Sequence, residues 1–318
     1  VEYKINPETM AHTLQILNLD KNFNPVYSAY TIKFKSMDFY SGFEPHIKLE
    51  PESFHYSDDM VTLITARPTN GNDLFRIFLA TNAIRELKKD AKIWLFLPFV
   101  PFARQDRVCV SGEPLSIKVF STLLNTLKYD RVFVFDPHSS VAPALIDNCC
   151  IIKNDIFINS LYKALMNNRC VEEGPLLFVS PDAGAYKKIF DTAKSVGYPK
   201  DLNIIMCDKV RDLTTGKIIQ TTVNVDDIHG ADVLIVDDIC DGGRTFIEIA
   251  KELKKRNCGK VFLAVTFGIF SNGFDELSEY FDSIYCTNLF KDIDHPLVKV
   301  INIQLMNHRS AELCNPVY

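Results

Sequence analysis

Short apolar runs separated by polar loops and amphipathic segments recur along the chain, and they restrict it to one class of fold. They are VTLIT (61–65), KIWLFL (92–97), RVFVF (131–135), LLFVS (176–180), NIIMC (203–207), VLIV (233–236) and VFLAV (261–265). Runs this short, bounded by polar residues, have the character of strands buried on both faces. The segments between them carry a helical period. From near Asp73, Leu74, Ile77, Phe78 and Ile84 share one face, and after Arg244, Phe246, Ile249, Ala250 and Leu253 fall at i, i+3, i+4 and i+7. Strands alternating with helices imply right-handed βαβ units and a mostly parallel sheet flanked by helices. Seven strands in 318 residues are better divided into two sheets than forced into one. The expected break lies in DNCCIIKND (147–155), giving an N-terminal α/β domain over 1–150, a similar α/β domain over 151–300 and a tail over 301–318.

Charge then limits the partners. Lysine plus arginine number 35 against 40 acids, a formal charge of −5, and no basic run offsets this, so nucleic acid is excluded as a partner. No apolar stretch approaches the roughly 20 residues needed to span a bilayer, so no membrane association is expected. The first residues, VEYKINPETMAHTLQ, have no apolar signal core, and the expected location is cytoplasmic. Nine cysteines (109, 149, 150, 170, 207, 240, 258, 286, 314) are scattered without a CxxC pair. They are expected to be reduced thiols acting as small buried hydrophobes, not a disulfide or zinc framework.

In parallel α/β folds ligands sit outside the carboxyl ends of the strands. The loops there are PFVPFARQDRVCVSGEP, DPHSS, SPDAGAY, CDKVRDLTTGK and DDICDGGRT, and all are polar or charged. In the last, Gly242, Gly243 and the Thr245 hydroxyl stand just ahead of a helix, where N–H groups and the helix dipole favour an anion. Asp237 and Asp238 would repel that anion and suit sugar hydroxyls or a metal instead. A sugar carrying a phosphate satisfies both halves of the loop. An ordinary turn with a capping Asp would share its glycines, but two adjacent acids after an apolar run, then a third acid and a Thr, are more specific.

On these residues the stretch resembles the phosphoribosyl-binding loop shared by type I phosphoribosyltransferases and ribose-phosphate diphosphokinases. Further segments, in order from about residue 35 to 275, distinguish the two families. PFVPFARQDR followed by GEPLSIKVFSTLL is similar to the diphosphokinase ATP-site segment, and DRVFVFDPHSS resembles that family's Asp-x-His strand end. SPDAGAYKK resembles its second metal loop, and Asp208-Lys209-Val210-Arg211 its flexible catalytic loop. A plain phosphoribosyltransferase has one such domain and no ARQDR segment. The chain is therefore identified as a divergent member of the ribose-phosphate diphosphokinase (phosphoribosyl pyrophosphate synthetase) family, which implies two type I phosphoribosyltransferase-like domains.

The resemblance implies a Mg²⁺-dependent enzyme that transfers the β,γ-diphosphoryl group of ATP to the 1-hydroxyl of ribose 5-phosphate and releases AMP. Lys209 and Arg211 would be catalytic, in a loop that closes over substrate. Arg104 would grip ATP phosphates, Gln105 the adenine or ribose side, and Arg107 a further phosphate. Tyr40 and Glu44 would meet the adenine, by stacking and through a carboxylate. His138 and Asp182 would serve the metal, with His138 also at the ATP site and Asp182 competing as a helix N-cap. Asp237 and Asp238 would take the ribose hydroxyls, and Asp241, Gly242, Gly243, Arg244 and Thr245 the 5-phosphate region. Because the family builds its adenine site across a subunit contact, a homo-oligomer (dimer or hexamer) is implied.

Three departures stand out. Asp136-Pro137-His138 replaces the family's Asp-Leu-His and removes a backbone N–H. Tyr40-Ser41-Gly42-Phe43-Glu44 lacks the family's middle Asn or Asp. The family loop runs Asp-Thr-x-Gly-Thr, whereas here Gly242 stands for the Thr and Arg244 for the second Gly. Arg244 would then grip the ordinary 5-phosphate, or an acceptor extended beyond it such as ADP-ribose, giving ADP-ribose 1-diphosphate for NAD resynthesis. A non-catalytic regulatory homologue should have lost its catalytic charges or metal-site residues, but Lys209, Arg211, His138 and Asp182 are all retained.

Overall fold

The computed structural model describes residues 14–20, 28, 30–167, 174–199, 204–211 and 218–301, with side chains for all but 209–211 and 218–220. The tail expected over 301–318 lies outside the described residues except for Ile301. The chain divides into two compact units between Lys153 and Asn154.

The first unit holds β1 (Leu14–Asn18), β2 (Tyr30–Thr31), β3 (Phe34–Phe39), β4 (Pro45–Leu49), β5 (Val61–Thr65), α1 (Gly71–Leu87) and β6 (Lys92–Leu97). It continues with α2 (Ser116–Asn125), β7 (Arg131–Phe135), α3 (Val141–Leu145) and β8 (Cys149–Ile152). Six of these strands form one parallel sheet in the order β2-β1-β5-β6-β7-β8, and β3 and β4 form a separate antiparallel hairpin. The core lies beneath α1 and α2, where Ile77, Ile84, Ile117 and Leu124 meet Ile64, Leu95 and Val134 of the sheet.

Helix α1 starts at Gly71, ahead of the expected Asp73, because Asn70 caps it. Oδ1 of Asn70 accepts the Asp73 N–H at 3.0 Å, and Oδ2 of Asp73 accepts the Thr69 N–H at 3.1 Å. Its buried face is Ile77, Ala80, Thr81 and Ile84. Phe78, expected on that face, remains partly exposed in a surface groove with Phe75 and Phe102.

The second unit holds α4 (Asp155–Asn167), β9 (Leu176–Ser180), α5 (Ala183–Ser195), β10 (Ile205–Arg211), β11 (Ile218–Val223), β12 (Asp232–Cys240) and α6 (Arg244–Lys255). It ends with β13 (Val261–Gly268), α7 (Asp275–Tyr280), β14 (Ser283–Leu289) and β15 (Val298–Val300). The sheet order is β11-β10-β9-β12-β13-β14-β15, parallel except for the β10–β11 pair. The expected face of α6, Phe246, Ile249, Ala250 and Leu253, is buried against β12 and β13.

Both units are thus mixed α/β with helix-flanked, mostly parallel sheets, as expected from the alternating pattern. Two details correct the sequence reading. The stretch after NIIMC is not a loop at Lys209 and Arg211. The backbone stays extended through Arg211, pairing Lys209 with Thr221 and Arg211 with Ile218 across a bulge. An antiparallel partner rich in Ile, Thr and Val satisfies the ladder there, which the single run could not reveal. Nor are all the cysteines buried: Cys149, Cys150, Cys207, Cys240 and Cys286 are, but Cys258 is intermediate and Cys109 is exposed. Cys109 belongs to the loop between β6 and α2, whose residues 107–113 are exposed. Among the described residues no helix is long and apolar enough to cross a membrane.

Candidate active site

Each unit gathers its polar residues at the carboxyl ends of adjacent parallel strands. In the first unit β6 and β7 are hydrogen-bonded neighbours, so residues 98–115 and 136–140 leave the same edge of the sheet. Arg104, Gln105 and Arg107 lie exposed on the first loop and His138 on the second. Asp106 joins the two. It is largely buried and accepts from Nε of Arg107 at 3.1 Å. Burial opposes its charge, but hydrogen bonds from Ser139 and Arg107 and the charges of Arg107 and His138 outweigh that, holding its carboxyl below the ordinary value. The expected ATP-segment arginine and metal-site histidine therefore flank one carboxylate. Glu113 closes the first loop, its Oε2 accepting the N–H groups of Cys109 at 3.0 Å and Val110 at 3.2 Å.

Tyr40 and Glu44 sit at the tip of the β3–β4 hairpin. The Tyr40 N–H donates to the Glu44 carbonyl at 2.9 Å, and the Tyr40 ring lies 4.6 Å from that of His46. Both residues are exposed, as is Phe43 between them. The hairpin leans on α1, with the guanidinium of Arg76 4.6 Å above the Phe39 ring.

In the second unit β9, β12 and β13 are consecutive in the sheet, so the turns after them share one edge. Asp182 follows β9 and caps α5, its Oδ1 accepting the Ala185 N–H at 2.9 Å. The capping role weighed from the sequence is the one seen. Strand β12 runs on to Cys240, so Asp237 and Asp238 are strand residues, both half-buried, and Oδ1 of Asp237 accepts the Asp238 N–H at 2.9 Å. The chain then turns through Asp241, Gly242 and Gly243 into α6. Gly243 is its N-cap with φ +78°, a left-handed backbone that favours glycine. The Gly243 carbonyl accepts the N–H groups of Phe246 and Ile247, at 2.9 and 3.0 Å. The Arg244 and Thr245 N–H groups occupy the first two helical positions, which have no acceptor within the helix, and no side chain caps them. Arg244 is exposed, Thr245 half-buried and Gly243 buried. Two carboxylates on a strand end thus precede N–H donors at a helix start that favour an anion.

A turn that the sequence reading passed over holds this loop. Ser271 donates its hydroxyl to Oδ1 of Asp241 at 2.7 Å and its N–H to the Asp241 carbonyl at 3.1 Å, and Nδ2 of Asn272 donates to the Gly242 carbonyl at 3.2 Å. Beneath the loop, burial, reinforced by Asp237 and Asp241, raises the Cys240 thiol far above its ordinary value and keeps it a neutral packing group. Lys209 and Arg211 lie on β10, with side chains outside those described. Among the described residues no cluster of three or more His, Cys, Asp or Glu side chains is arranged to hold a metal. The available donors after β9 and β12 are carboxylate oxygens, which suits a hard cation that takes its other ligands from water and substrate.

Residues 156–305 match the family model described as the phosphoribosyl transferase domain. Ribose-phosphate pyrophosphokinase of Vibrio vulnificus is 31% identical over 221 residues, covering 69% of this chain and 67% of that protein. The protein of the same name from Pyrococcus furiosus is 31% identical over 222 residues, 68% of this chain and 72% of its own length. In fold, the chain is similar to phosphoribosylpyrophosphate synthetase from Mycobacterium smegmatis, with a TM-score of 0.75 at 20% identity, over 94% of this chain and 98% of that one. The two units are accordingly the two phosphoribosyltransferase-like domains of that fold. With a helix-flanked parallel sheet in each unit and these relatives matched over two thirds of their length, the chain belongs to the ribose-phosphate pyrophosphokinase family.

Proposed function

We propose that this protein transfers the β,γ-diphosphoryl group of ATP to the 1-hydroxyl of ribose 5-phosphate. The observation that carries this reading is the β12–α6 turn, where the Asp237–Asp238 pair leads into uncapped N–H groups at the start of α6. Asp237 and Asp238 accept from the ribose hydroxyls, and the turn from Asp241 to Thr245 receives the 5-phosphate. The sugar's 1-oxygen forms a bond to the β-phosphorus as the bond from that phosphorus to the α-phosphate oxygen breaks. AMP leaves with that oxygen, and the hydroxyl proton is lost to solvent or a base. Such a displacement depends on positioning and on spreading charge onto cations, the part assigned to Lys209 and Arg211. Arg104, Gln105 and Arg107, with His138 beside them, form the ATP segment of residues 1–150, and residues 151–300 form the acceptor side.

Mg²⁺, when bound with the nucleotide, supplies charge neutralisation on the phosphates. His138 and Asp182 are the residues assigned to it, Asp182 alongside its capping bond to α5. The exposed hairpin tip bearing Tyr40 and Glu44 supports a homo-oligomer in which it serves the adenine site of a neighbouring copy. The expected location is the cytoplasm.

Incubation with ATP and ribose 5-phosphate, followed by nucleotide chromatography, tests the reaction. AMP should appear only with the acceptor present; release of ADP, or acceptor-independent AMP, would refute it. Exposed Arg244 at the first position of α6 favours one second reading, in which the acceptor extends beyond the phosphate as ADP-ribose does. Arg244→Ala should then lose activity with ADP-ribose more than with ribose 5-phosphate, and no AMP from wild type with ADP-ribose would end that reading.

A further inference from the structure

Glycine at position 242 is not explained by its backbone. Unlike Gly243, it is not among the positive-φ glycines, so its conformation admits a side chain. A side chain there would instead have to displace a neighbour. A Cβ at 242 would stand 2.6 Å from Nδ2 of Asn272, 3.2 Å from its Cγ and 3.5 Å from Oγ of Ser271. The amide in the way is itself bonded to the Gly242 carbonyl at 3.2 Å. Its supporting turn is anchored at several points. Ile269 donates its N–H to the Cys240 carbonyl at 2.8 Å, and Ser271 holds Asp241 through backbone and side chain. The Phe270 ring is buried in the core, with Phe274 5.0 Å from it and His295 stacked 4.4 Å beyond Phe274. Asn272 therefore presses on the loop from a fixed platform, although the side chain itself is exposed.

We propose that Asn272 is a positioning residue for the ribose-phosphate loop, and that Gly242 and Asn272 act as a coupled pair. The loop has no side chain at 242, and an amide from the turn after β13 fills that space. A side chain at 242 pushes the Asn272 amide off the Gly242 carbonyl, and removing the amide at 272 loses the same bond, so either change alone releases the Asp241–Gly243 turn on that side. The inference rests on the reading of this loop as the ribose 5-phosphate site.

The test is a cycle of Gly242→Thr, Asn272→Gly and the double variant, with KM measured for both substrates. Each single change should raise KM for ribose 5-phosphate about tenfold and leave KM for ATP within about twofold. The double variant should be no worse than the poorer single variant, because both changes remove the same bond. Losses that simply multiply in the double variant would overturn the pairing. Asn272→Asp, which keeps the shape but cannot donate to the Gly242 carbonyl, should behave like Asn272→Gly; an unchanged KM for ribose 5-phosphate would overturn the positioning role. Asn272 is exposed and Gly242 half-buried, so melting temperatures of all the variants separate a folding loss from a positioning loss. If wild type binds ribose 5-phosphate by calorimetry but releases no AMP, the reaction reading fails on that result alone. The same variants are then ranked by calorimetric affinity, with no further loss in the double variant supporting the pair and additive losses refuting it. An absence of ribose 5-phosphate binding to wild type removes the inference together with the site.

Discussion

Arg107 donates from Nε to Oδ1 of Asp106 at 3.1 Å, and the two side chains differ sharply in exposure, 77% for the arginine and 10% for the aspartate. The acid is built into the first unit while the guanidinium extends into solvent. Asp106 is thereby the fixed member on which the ATP-segment loop and the strand-end loop meet.

The sign of a pH effect follows. A carboxyl whose folded pKa is depressed contributes stability that is complete above its unfolded value, near 3.9, and lost as pH falls through the folded one. Asp106→Asn should therefore lower the melting temperature by a few degrees at pH 7, and the gap to wild type should close as pH falls below about 4. Melting curves from pH 7 to pH 3 check this; a gap that stays constant with pH would show that charge at Asp106 is not the cause.

Tyr129 and Thr81 form a buried hydroxyl pair 2.6 Å apart, and the Thr81 hydroxyl also donates to the Ile77 carbonyl at 2.8 Å. Since Thr81 has one proton and uses it on Ile77, Tyr129 is the donor within the pair. Burial, the largest influence, pushes the Tyr129 phenol well above its ordinary value, so it stays protonated. Tyr129→Phe leaves Thr81 still bonded and should cost about 1 kcal/mol. Thr81→Val strands a buried phenol and should cost about 1–3 kcal/mol. Urea denaturation distinguishes the two, and equal losses would contradict the assignment of the donor.

Gly243→Ala should be more damaging to stability than Gly242→Ala. The left-handed backbone at Gly243 adds about 1–2 kcal/mol for any other residue, and a Cβ there would lie 3.0 Å from Cδ2 of buried Leu277. Gly242 lacks the backbone term and meets only an amide that can swing aside. Denaturation of both variants gives the order, and a larger loss at 242 would reverse it.

Lys209→Ala should reduce turnover by about 10²–10³-fold, the size expected for one donor to developing charge, while leaving nucleotide affinity largely intact. Single-turnover AMP release and ATP calorimetry separate these quantities. Unchanged turnover would remove Lys209 from the mechanism.

The segments most legible in sequence were those whose signal is local. VTLIT, KIWLFL, RVFVF and LLFVS have the bounds of β5, β6, β7 and β9, because a strand buried on both faces needs an uninterrupted apolar run. The period after Arg244 gave the buried face of α6 for the same reason. Strands β1, β8 and β14, with sequences LQILN, CCII and SIYCTNL, carry cysteine or polar residues and were not singled out. Glutamine in β1 is buried because Nε2 of Gln15 donates to the Thr62 hydroxyl at 2.9 Å, a partner 47 residues away.

The amino-acid order alone determined which loops would be polar, that they follow the strands, and that DDICDGGRT combines carboxylates with helix-start N–H groups. Tertiary structure alone decided what holds those loops. Ser271 meets Asp241 across 30 residues, and Ser139 meets Asp106 across the gap between neighbouring strands. It also decided that Lys209 and Arg211 lie on a strand, since a ladder partner over residues 218–223 extends the backbone there. Periodicity records how a segment meets the core, whereas these contacts depend on which strands the sheet sets side by side, and no local pattern encodes that.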